Sequence, residues 1–384
     1  MLLVAAQVVT PARVLAPGWL RLEGDRVVEV GEGPPGRAPD LDLGSATVVP
    51  GFVDIHVHGG GGASFDTGTV AAAGAAIDAH LTHGTTSMVA SLVTDTLDRM
   101  GATIRSLAPL VDEGRLAGVH LEGPWLSPRR SGAHRPGSLV RPDPASVTDL
   151  VDAGGGAVRM VTLAPELPGG LEAVRLLVDA GVVVAVGHTD ATYDQTRAAL
   201  DAGARVGTHL FNAMSGLHHR EPGAAGALLD ADPALGVHLE LVADGVHLHP
   251  AVLRTAFTAR PGQCVLVTDA MSAAAAGDGD YRLGPMDVEV RDGVARLAGT
   301  DGAIAGSTLT MDAAVRFAVR QAGLPLADVL HAASTAPARA LGLDDVGSLE
   351  PGRRADLVVL DDDLDVVRVM RSGAWLRADM TART

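Results

Sequence analysis

The chain has 384 residues, of which 47% are hydrophobic and 20% charged, and its formal net charge is −16. This acidic excess argues against nucleic acid as a partner, because phosphate backbones require clustered basic residues. No apolar stretch approaches the ~20 residues of a membrane helix, and the first residues lack the features of a signal peptide. One cysteine, Cys264, excludes an internal disulfide framework and a CxxC metal site, and it fits a cytoplasmic location.

Both ends of the chain are predicted to form short β-strands. Residues 2–10, 18–31 and 46–51 are apolar stretches separated by Gly/Pro-rich turns, as expected of a small antiparallel sheet. The same texture returns in residues 346–373, where a Glu-Pro-Gly turn precedes the runs LVVL and VVRVM. We therefore predict a small β-sandwich domain that is built from both termini, residues 1–48 and 350–384. A catalytic domain of residues 49–349 is expected between them.

Between the ends, apolar strands alternate with Ala-rich amphipathic helices such as residues 70–84 and 171–181. Such alternation is typical of βα units around a parallel sheet. Eight candidate strands can be counted: residues 51–58, 85–93, 116–123, 158–165, 182–190, 205–212, 238–244 and 263–270. The predicted fold class is therefore α/β, with a TIM-like (β/α)8 barrel.

Six residues that can bind metal or carry protons follow five of these strands. They are His56, His58, Glu122, His188, His209 and Asp269. The carboxyl ends of barrel strands form one rim, where barrel active sites are built. A single buried histidine is usually an ordinary hydrogen-bonded core residue, but six such groups at one rim indicate a site.

The first strand carries the pattern His56-Val57-His58. Residues i and i+2 of a strand point to the same side, so both imidazoles can face the barrel mouth. Imidazole and carboxylate ligands suit zinc and related divalent ions. Asp269, at the end of the last strand, is a candidate acid/base that takes a proton from water and returns it to a leaving nitrogen.

Several motifs in chain order resemble one family. The run VPGFVDIHVHG (residues 49–59) is similar to the first-strand signature of the amidohydrolase superfamily, and GSLEPGRRADLVVLD (residues 347–361) to its closing sheet segment. The chain contains no lysine, which excludes the subtype with a carboxylated lysine between two metals. HLEGPWL (120–126), GHTDATY (187–193), THLFNAM (208–214), ADGVHLHP (243–250) and VLVTDAM (265–271) resemble the N-acetylglucosamine-6-phosphate deacetylases.

The resemblance implies roles for the rim residues. Glu122, His188 and His209 match the main metal ligands of the family, and Asp269 matches its catalytic acid/base. His134, in the segment SGAHRPG, matches a histidine that binds the amide carbonyl of the substrate. Because His56 and His58 are both present, we expect room for a second ion. The expected cofactor is one or two divalent metals per chain, with zinc favoured and iron or manganese as alternatives.

The resemblance also implies how a phosphorylated amino sugar is bound. Asn212 and the backbone of Ala213 match a phosphate-binding turn, and His247 matches a further substrate contact. Arg220 matches an arginine that reaches the phosphate from the partner subunit, so a homodimer is expected. The implied reaction removes the N-acetyl group from N-acetylglucosamine 6-phosphate, in amino-sugar catabolism.

Other functions stay open at this point. The same metal chemistry serves other N-acyl amino sugars, N-acyl-D-amino acids and cyclic amides. A non-catalytic scaffold that acts through protein contacts is a further alternative, although such proteins typically lose the ligands or the aspartate of the eighth strand. The sequence does not distinguish among the epimers of N-acetylhexosamine 6-phosphate.

Overall fold

In the computed structural model, which describes residues 1–299 and 302–376, the centre of the protein is a barrel of eight parallel strands. Each strand pairs with its neighbour along the chain. The strands are Phe52–Asp54, Thr85–Val93, Gly118–Glu122, Val158–Leu163, Val183–Val186, Val206–Gly207, His238–Val242 and Cys264–Val267. We number them one to eight below. The predicted barrel and its eight strands are confirmed.

The first and eighth strands close the barrel just beyond their ordered ends. Val57 and Ala270 form a parallel bridge, the Asp269 amide donates to the His56 carbonyl at 2.8 Å, and the His58 amide donates to the Ala270 carbonyl at 2.8 Å. This closure places the His56–His58 segment beside Asp269, so the register of the barrel itself sets one side of the rim.

Helices follow the strands around the outside of the barrel. The eight longest are Val70–Thr82, Leu97–Asp112, Pro144–Asp152, Gly170–Asp179, Tyr193–Asp201, Gly223–Leu229, Pro250–Ala259 and Met311–Arg320. Several begin at a side chain that accepts a hydrogen bond from a free amide of the first turn, as Thr69, Thr96, Asp143 and Thr192 do. Shorter helical segments are Phe65–Thr67, Pro128–Arg130, Pro136–Ser138, Pro233–Leu235, Leu326–Leu330, His331–Thr335 and Ala336–Ala340.

Two further sheets are built from the ends of the chain, the first from amino-terminal strands alone and the second from strands of both ends. One contains four strands in the order Arg26–Glu32, Gly18–Glu23, Leu2–Ala5 and Leu41–Asp42. The other contains six, in the order Ala374–Trp375, Val366–Arg371, Leu357–Leu360, Thr47–Pro50, Gln7–Val9 and Val14–Leu15. Apolar side chains from both sheets share one core, among them Leu3, Leu20, Val48, Leu357 and Met370. A small β domain from both termini is therefore present.

The domain bounds of 1–48, 49–349 and 350–384 stay a prediction. The pairing of Thr47–Pro50 with Leu357–Leu360 supports a division near residue 50. Residues 377–384, at the end of the predicted domain, lie outside the described residues.

A three-stranded antiparallel sheet, which the sequence analysis did not predict, follows the eighth barrel strand. Its strands are Gly279–Leu283, Met286–Arg291 and Val294–Leu297. Leu283 from this sheet and Ile304, which follows it, line the cavity at the barrel mouth. The short strands Gly59–Gly60 and Ala63–Ser64 form a hairpin nearby. Within the described residues, no helix is both long and apolar enough to cross a membrane.

Candidate active site

The carboxyl ends of the barrel strands surround a cavity of about 350 Å³. Glu122 is the last residue of the third strand, and the other rim residues follow their strands within two to four positions. The lining includes five of the six rim residues that the sequence pattern singled out: His58, Glu122, His188, His209 and Asp269. His56 is fully buried directly beside them. The barrel thus brings all six together.

Glu122 lies at the centre of this cluster. Its Oε1 atom is 3.0 Å from Nε2 of His188 and 3.1 Å from Nε2 of His209. Its Oε2 atom is 3.3 Å from Nε2 of His58 and 3.2 Å from Nε2 of His134. One carboxylate therefore faces imidazoles from four separate segments, and it is placed to join two groups of ligands.

The side of the cluster nearest the first strand holds His56, His58 and Asp269. The Oδ1 atom of Asp269 is 3.6 Å from Nε2 of His56 and 3.3 Å from Nε2 of His58. The two Nε2 atoms are 3.2 Å apart. Nδ1 of His58 lies 3.2 Å from the Ser91 carbonyl, which accepts its proton and leaves Nε2 to face the carboxylates.

The opposite side of the cluster, which holds His188 and His209, depends on rarely adopted backbone conformations. His188 and His209 have φ of 45° and 27°, in the left-handed region that non-glycine residues rarely adopt. Asp269, with φ of 49°, shares this feature. A left-handed residue turns the chain sharply at the end of its strand and directs its side chain back over the barrel mouth. Such conformations cost about 1–3 kcal/mol each and are typical of functional sites.

Electrostatics within the cluster favour ionised carboxylates beside protonated imidazole. Burial opposes ionisation of Glu122, but His134, His56 and His188 hold the pKa of its carboxyl well below its ordinary value. Burial likewise opposes ionisation of Asp269, yet His56 and His58 lower its pKa to about 2. Burial disfavours the protonated form of His58, but the carboxylates of Asp269 and Glu122 raise its pKa to about 9. The carboxylates thus make this cavity attractive to positive charge.

The donor set fits divalent metal. Two groups of potential ligand atoms each lie within 4.8 Å of one another, and they share Glu122: one contains His56 and His58, the other His134 and His188. Nε2 of His209 is 3.0 Å from Nε2 of His188, so it belongs beside the second group. Nitrogen and carboxylate donors in such clusters suit zinc, iron or manganese. The cluster can therefore hold metal.

His134 reaches the cluster from a loop between the third strand and the next helix. Its Nε2 contacts Glu122, and its Nδ1 accepts from the Thr94 amide at 3.3 Å. The loop is held by the Arg130 carbonyl, which accepts from Nδ1 of His188 at 2.8 Å. The Arg130 guanidinium also forms an ion pair with Asp190 at 2.9 Å, which is a second contact that holds this loop in place. His134 therefore lies where a substrate over the cluster would meet it.

The residues predicted to bind substrate are placed differently from one another. Asn212 and Ala213 line the cavity, and Ala213 has a left-handed φ of 47°. His247 also lines it, with Nδ1 2.7 Å from Oδ2 of Asp244 and Nε2 4.0 Å from Oδ2 of Asp269. Burial disfavours the protonated form of His247, but the hydrogen bond to Asp244 raises its pKa. Arg220 is exposed and is not among the lining residues of the same chain.

Two buried residues near the cluster were missed from the sequence. Glu240, on the seventh strand, lies 2.9 Å from Nδ1 of His56. His120, on the third strand, contacts the Ser91 hydroxyl at 2.9 Å and the Thr162 hydroxyl at 2.8 Å beneath the site. Strand alternation could have found them, since His120 precedes Glu122 by two positions and Glu240 interrupts an apolar strand.

A larger cavity of about 520 Å³ lies at the opposite end of the barrel. It is lined by Pro50 and Cys264, which precede or begin the first and eighth strands, and by residues of the segment His331–Thr335. In barrel enzymes that face serves stability and the carboxyl-end face serves chemistry. The smaller cavity, with its convergent ligands, is therefore the candidate active site.

Comparison with known proteins agrees with this geometry. The protein-family model described as "Amidohydrolase family" matches residues 47–376 of this chain. N-acetylgalactosamine-6-phosphate deacetylase of Escherichia coli O157:H7 is 41% identical over 333 residues, which cover 84% of this chain and 86% of that protein. N-acetylglucosamine-6-phosphate deacetylase of Bos taurus is 38% identical and covers 94% of this chain and 88% of its own length.

Solved structures extend the likeness to the whole fold. An aspartate-to-alanine variant of N-acetyl-D-glucosamine-6-phosphate deacetylase from Mycobacterium smegmatis, in complex with N-acetyl-D-glucosamine-6-phosphate, is 52% identical with a TM-score of 0.95, covering 98% of each chain. The Thermotoga maritima N-acetylglucosamine-6-phosphate deacetylase is 32% identical with a TM-score of 0.88, covering 100% of each chain. The chain therefore belongs to the amidohydrolase family and, within it, to the N-acetylglucosamine-6-phosphate deacetylases.

Proposed function

We propose that this protein is a metal-dependent deacetylase that converts N-acetyl-D-glucosamine 6-phosphate to D-glucosamine 6-phosphate and acetate. The observation that carries the proposal is the convergence of His56, His58, Glu122, His188 and His209 with Asp269 on one cavity, in a chain of this family. Bound divalent metal would polarise the acetamide carbonyl and make water more acidic. The side chains supply binding, orientation and proton transfer.

Asp269 is the proposed acid/base. Its carboxylate lies against His56 and His58 and lines the cavity, and its low pKa in the metal-free chain keeps it ionised, which is the form that can take up a proton. After water has attacked the acetamide carbonyl, the Asp269 carboxyl group delivers the proton that it took from this water to the departing nitrogen. His134, on the loop above, is the proposed hydrogen-bond donor to the oxygen on which negative charge develops.

The sugar phosphate is proposed to bind at the turn of Asn212 and Ala213. The Asn212 amide donates to the His209 carbonyl, and the left-handed turn at Ala213 belongs to the class of backbone conformations that can present an amide to an anion. His247, held by Asp244, would contact the sugar from the side of the seventh strand. Arg220 is proposed to reach the phosphate bound by the partner subunit, which agrees with its exposure and with a cavity lining in its own chain that does not include it.

The reaction is tested by acetate release from N-acetylglucosamine 6-phosphate and from N-acetylglucosamine, side by side, with metal-replete protein. We expect a preference of at least about 100-fold in kcat/KM for the phosphorylated sugar, because charge-assisted contacts to phosphate contribute about 1.5–3 kcal/mol each. Equal rates of acetate release from the two sugars would contradict the assignment of the phosphate-binding turn. Absence of acetate release from both sugars would contradict the assignment as a deacetylase.

The homodimer is tested by mixing two inactive variants. If Arg220 serves the partner's site, a chain with Asp269→Asn and a chain with Arg220→Ala can form one intact site in each mixed dimer. Random exchange then restores about a quarter of the wild-type sites. Activity that stays at the level of the separate variants would show that Arg220 acts within its own chain or not at all.

Zinc is the proposed metal, at one or two ions per chain, with iron or manganese as alternatives, because the donor set accepts all three. A cytoplasmic location is proposed from the single cysteine, Cys264, which is free and buried. Metal analysis of protein purified without chelator, and fractionation of the source cell, test these two assignments.

A second candidate substrate is N-acetylgalactosamine 6-phosphate, because the E. coli relative that is 41% identical carries that activity in its name. The two sugars differ only in the configuration of one hydroxyl. Direct competition between them, followed by separation of the two amines, decides between the assignments. A galactosamine product in excess would replace the first proposal while leaving the metal chemistry unchanged.

A further inference from the structure

Glu240 is a buried carboxylate that the proposed reaction does not use. It lies in the middle of the seventh strand, His238–Val242, and is 0% exposed. Its side chain points into the barrel, below the candidate active site, where it meets groups from two other strands. Because burying a carboxylate without compensation is costly, its presence there calls for a function.

The contacts of Glu240 join the two sides of the cluster. Its Oε2 atom lies 2.9 Å from Nδ1 of His56, and it accepts from the backbone amide of His209 at 3.1 Å. One oxygen of Glu240 thus holds the His56 ring on the first-strand side and the turn that carries His209 on the opposite side. No other carboxylate in the described residues has an ion-pair contact to Nδ1 of His56, while Nε2 of that ring faces Glu122 and Asp269.

We propose that Glu240 is the positioning residue for a second cation, and that it holds the His56 ring with its Nδ1 proton directed to the carboxylate and its Nε2 directed into the cavity. An imidazole binds metal through an unprotonated nitrogen, so fixing the proton on Nδ1 prepares Nε2 as the ligand atom. The inference rests on the metal site of the proposed function.

The charge of Glu240 supports the same conclusion. Glu122 and Asp269 together carry a formal −2, which one divalent cation neutralises. Glu240 adds a third negative charge, so a site that holds one cation still attracts another. Its Oε1 atom has no hydrogen-bond partner among the described residues. The charge is therefore incompletely balanced by donors, and nearby cations are the natural compensation.

The test is zinc binding to metal-free protein by equilibrium dialysis over a range of free Zn²⁺, with wild type, Glu240→Gln and Glu240→Ala. Gln is nearly isosteric and keeps an acceptor for both hydrogen bonds, so it isolates the charge, whereas Ala removes both contributions. We expect two ions per wild-type chain, and a second ion weakened about 10- to 100-fold in both variants, while the first is held as in wild type.

Glu166→Gln is the matched control, because that carboxylate binds the Thr189 hydroxyl and the Asp190 amide at the same rim and touches no imidazole of the cluster. It should leave both ions in place. The thermal midpoint of each metal-free variant verifies folding, and the Gln variant keeps the test valid if the Ala variant fails to fold.

The outcomes separate this inference from the proposed function. Wild-type affinity for the second ion in both Glu240 variants would overturn the role of Glu240, although acetate release by the wild type would still stand. Loss in the Ala variant alone would support the positioning and overturn the charge contribution. A wild-type chain that binds one ion would overturn the second site, and one that binds none would overturn the metal chemistry as well.

Discussion

The two sides of the metal cluster are built by different means. On the first-strand side, His56 and His58 alternate along nearly extended chain, and the bridge between Val57 and Ala270 sets their position. On the other side, His188 and His209 occupy left-handed turns after the fifth and sixth strands. The two histidines of the first side follow from strand periodicity, whereas both histidines of the second side need local conformations that are unfavourable by themselves. Side-chain chemistry is similar on both sides, but the backbone cost is not.

The largest expected effect concerns Asp269, which contacts the first-strand side but itself lies on a left-handed turn. Asp269→Asn keeps the shape and removes the proton acceptor. We expect kcat for acetate release to fall about 1,000-fold, within the range of general acid–base catalysis. Bound metal should persist, because Glu122 and the histidines remain. Activity within tenfold of wild type would contradict the assignment.

Removing one histidine from each side tests whether the sides hold separate ions. His188→Asn should weaken the ion beside Glu122 and His209, and His56→Asn should weaken the ion beside His58, each about 100-fold or more in zinc affinity. Equilibrium dialysis with free Zn²⁺ measures both. His249→Asn is a control, because its ring caps the helix Pro250–Ala259 and lies outside the cluster. Equal loss of both ions in either variant would mean that the sides act as one site.

A third histidine near the first-strand side, His80, has a pKa that is shifted in the direction opposite to that of His58. His80 contacts the Gly59 carbonyl at 2.8 Å, and burial lowers its pKa to about 4, whereas carboxylates raise that of His58 to about 9. A group with a depressed pKa stays neutral when folded but takes up a proton when unfolded below about pH 6.5. Stability is therefore lost as the pH falls from about 6.5 to 4.

For His80 alone, this linkage amounts to about 2 kcal/mol between pH 7 and pH 5. Urea unfolding of metal-free wild type and His80→Gln at both pH values measures it. The variant should lose about 2 kcal/mol less than wild type on acidification, whatever its stability at pH 7. An identical pH dependence of the two proteins would show that His80 has the same pKa in the folded and unfolded states.

The smallest effect measures the backbone cost on the second side. Ala213, with φ of 47°, is left-handed, so Ala213→Gly releases about 1–2 kcal/mol of conformational energy against about 0.5–1 kcal/mol of lost entropy. We expect a net stabilisation of about 1 kcal/mol or less. Ala117→Gly, at a half-buried position before the third strand, should instead destabilise. Destabilisation of both would mean that the turn at Ala213 is not strained.

The contrast between the sides also explains what the sequence could predict. Apolar runs and helix periodicity were sufficient for the barrel, and strand ends were sufficient to bring Glu122, His188 and Asp269 together. Strand Gly279–Leu283 and its partners were missed because the sheet stands outside the barrel alternation. Glu240 was missed because a single carboxylate within an apolar strand reads as a break in the pattern.

The position of Arg220 shows a different limit. In the sequence it follows two histidines on a Gly-containing loop, and a family resemblance alone gave it a function. In the structure it is exposed, and the contact proposed for it lies on another copy of the chain. Sequence patterns within one chain encode contacts within that chain, so a residue whose contacts lie elsewhere leaves no periodic signal.

The pairing of the two chain ends has a consequence for biosynthesis. Thr47–Pro50 pairs with Gln7–Val9 on one side and with Leu357–Leu360 on the other, so its second partner leaves the ribosome long after the first. A nascent chain that stops before Leu357 leaves Val48 and Leu3 uncovered and a strand edge open, which chaperones and proteases recognise. Burial of these amino-terminal side chains therefore waits for the synthesis of Leu357–Leu360.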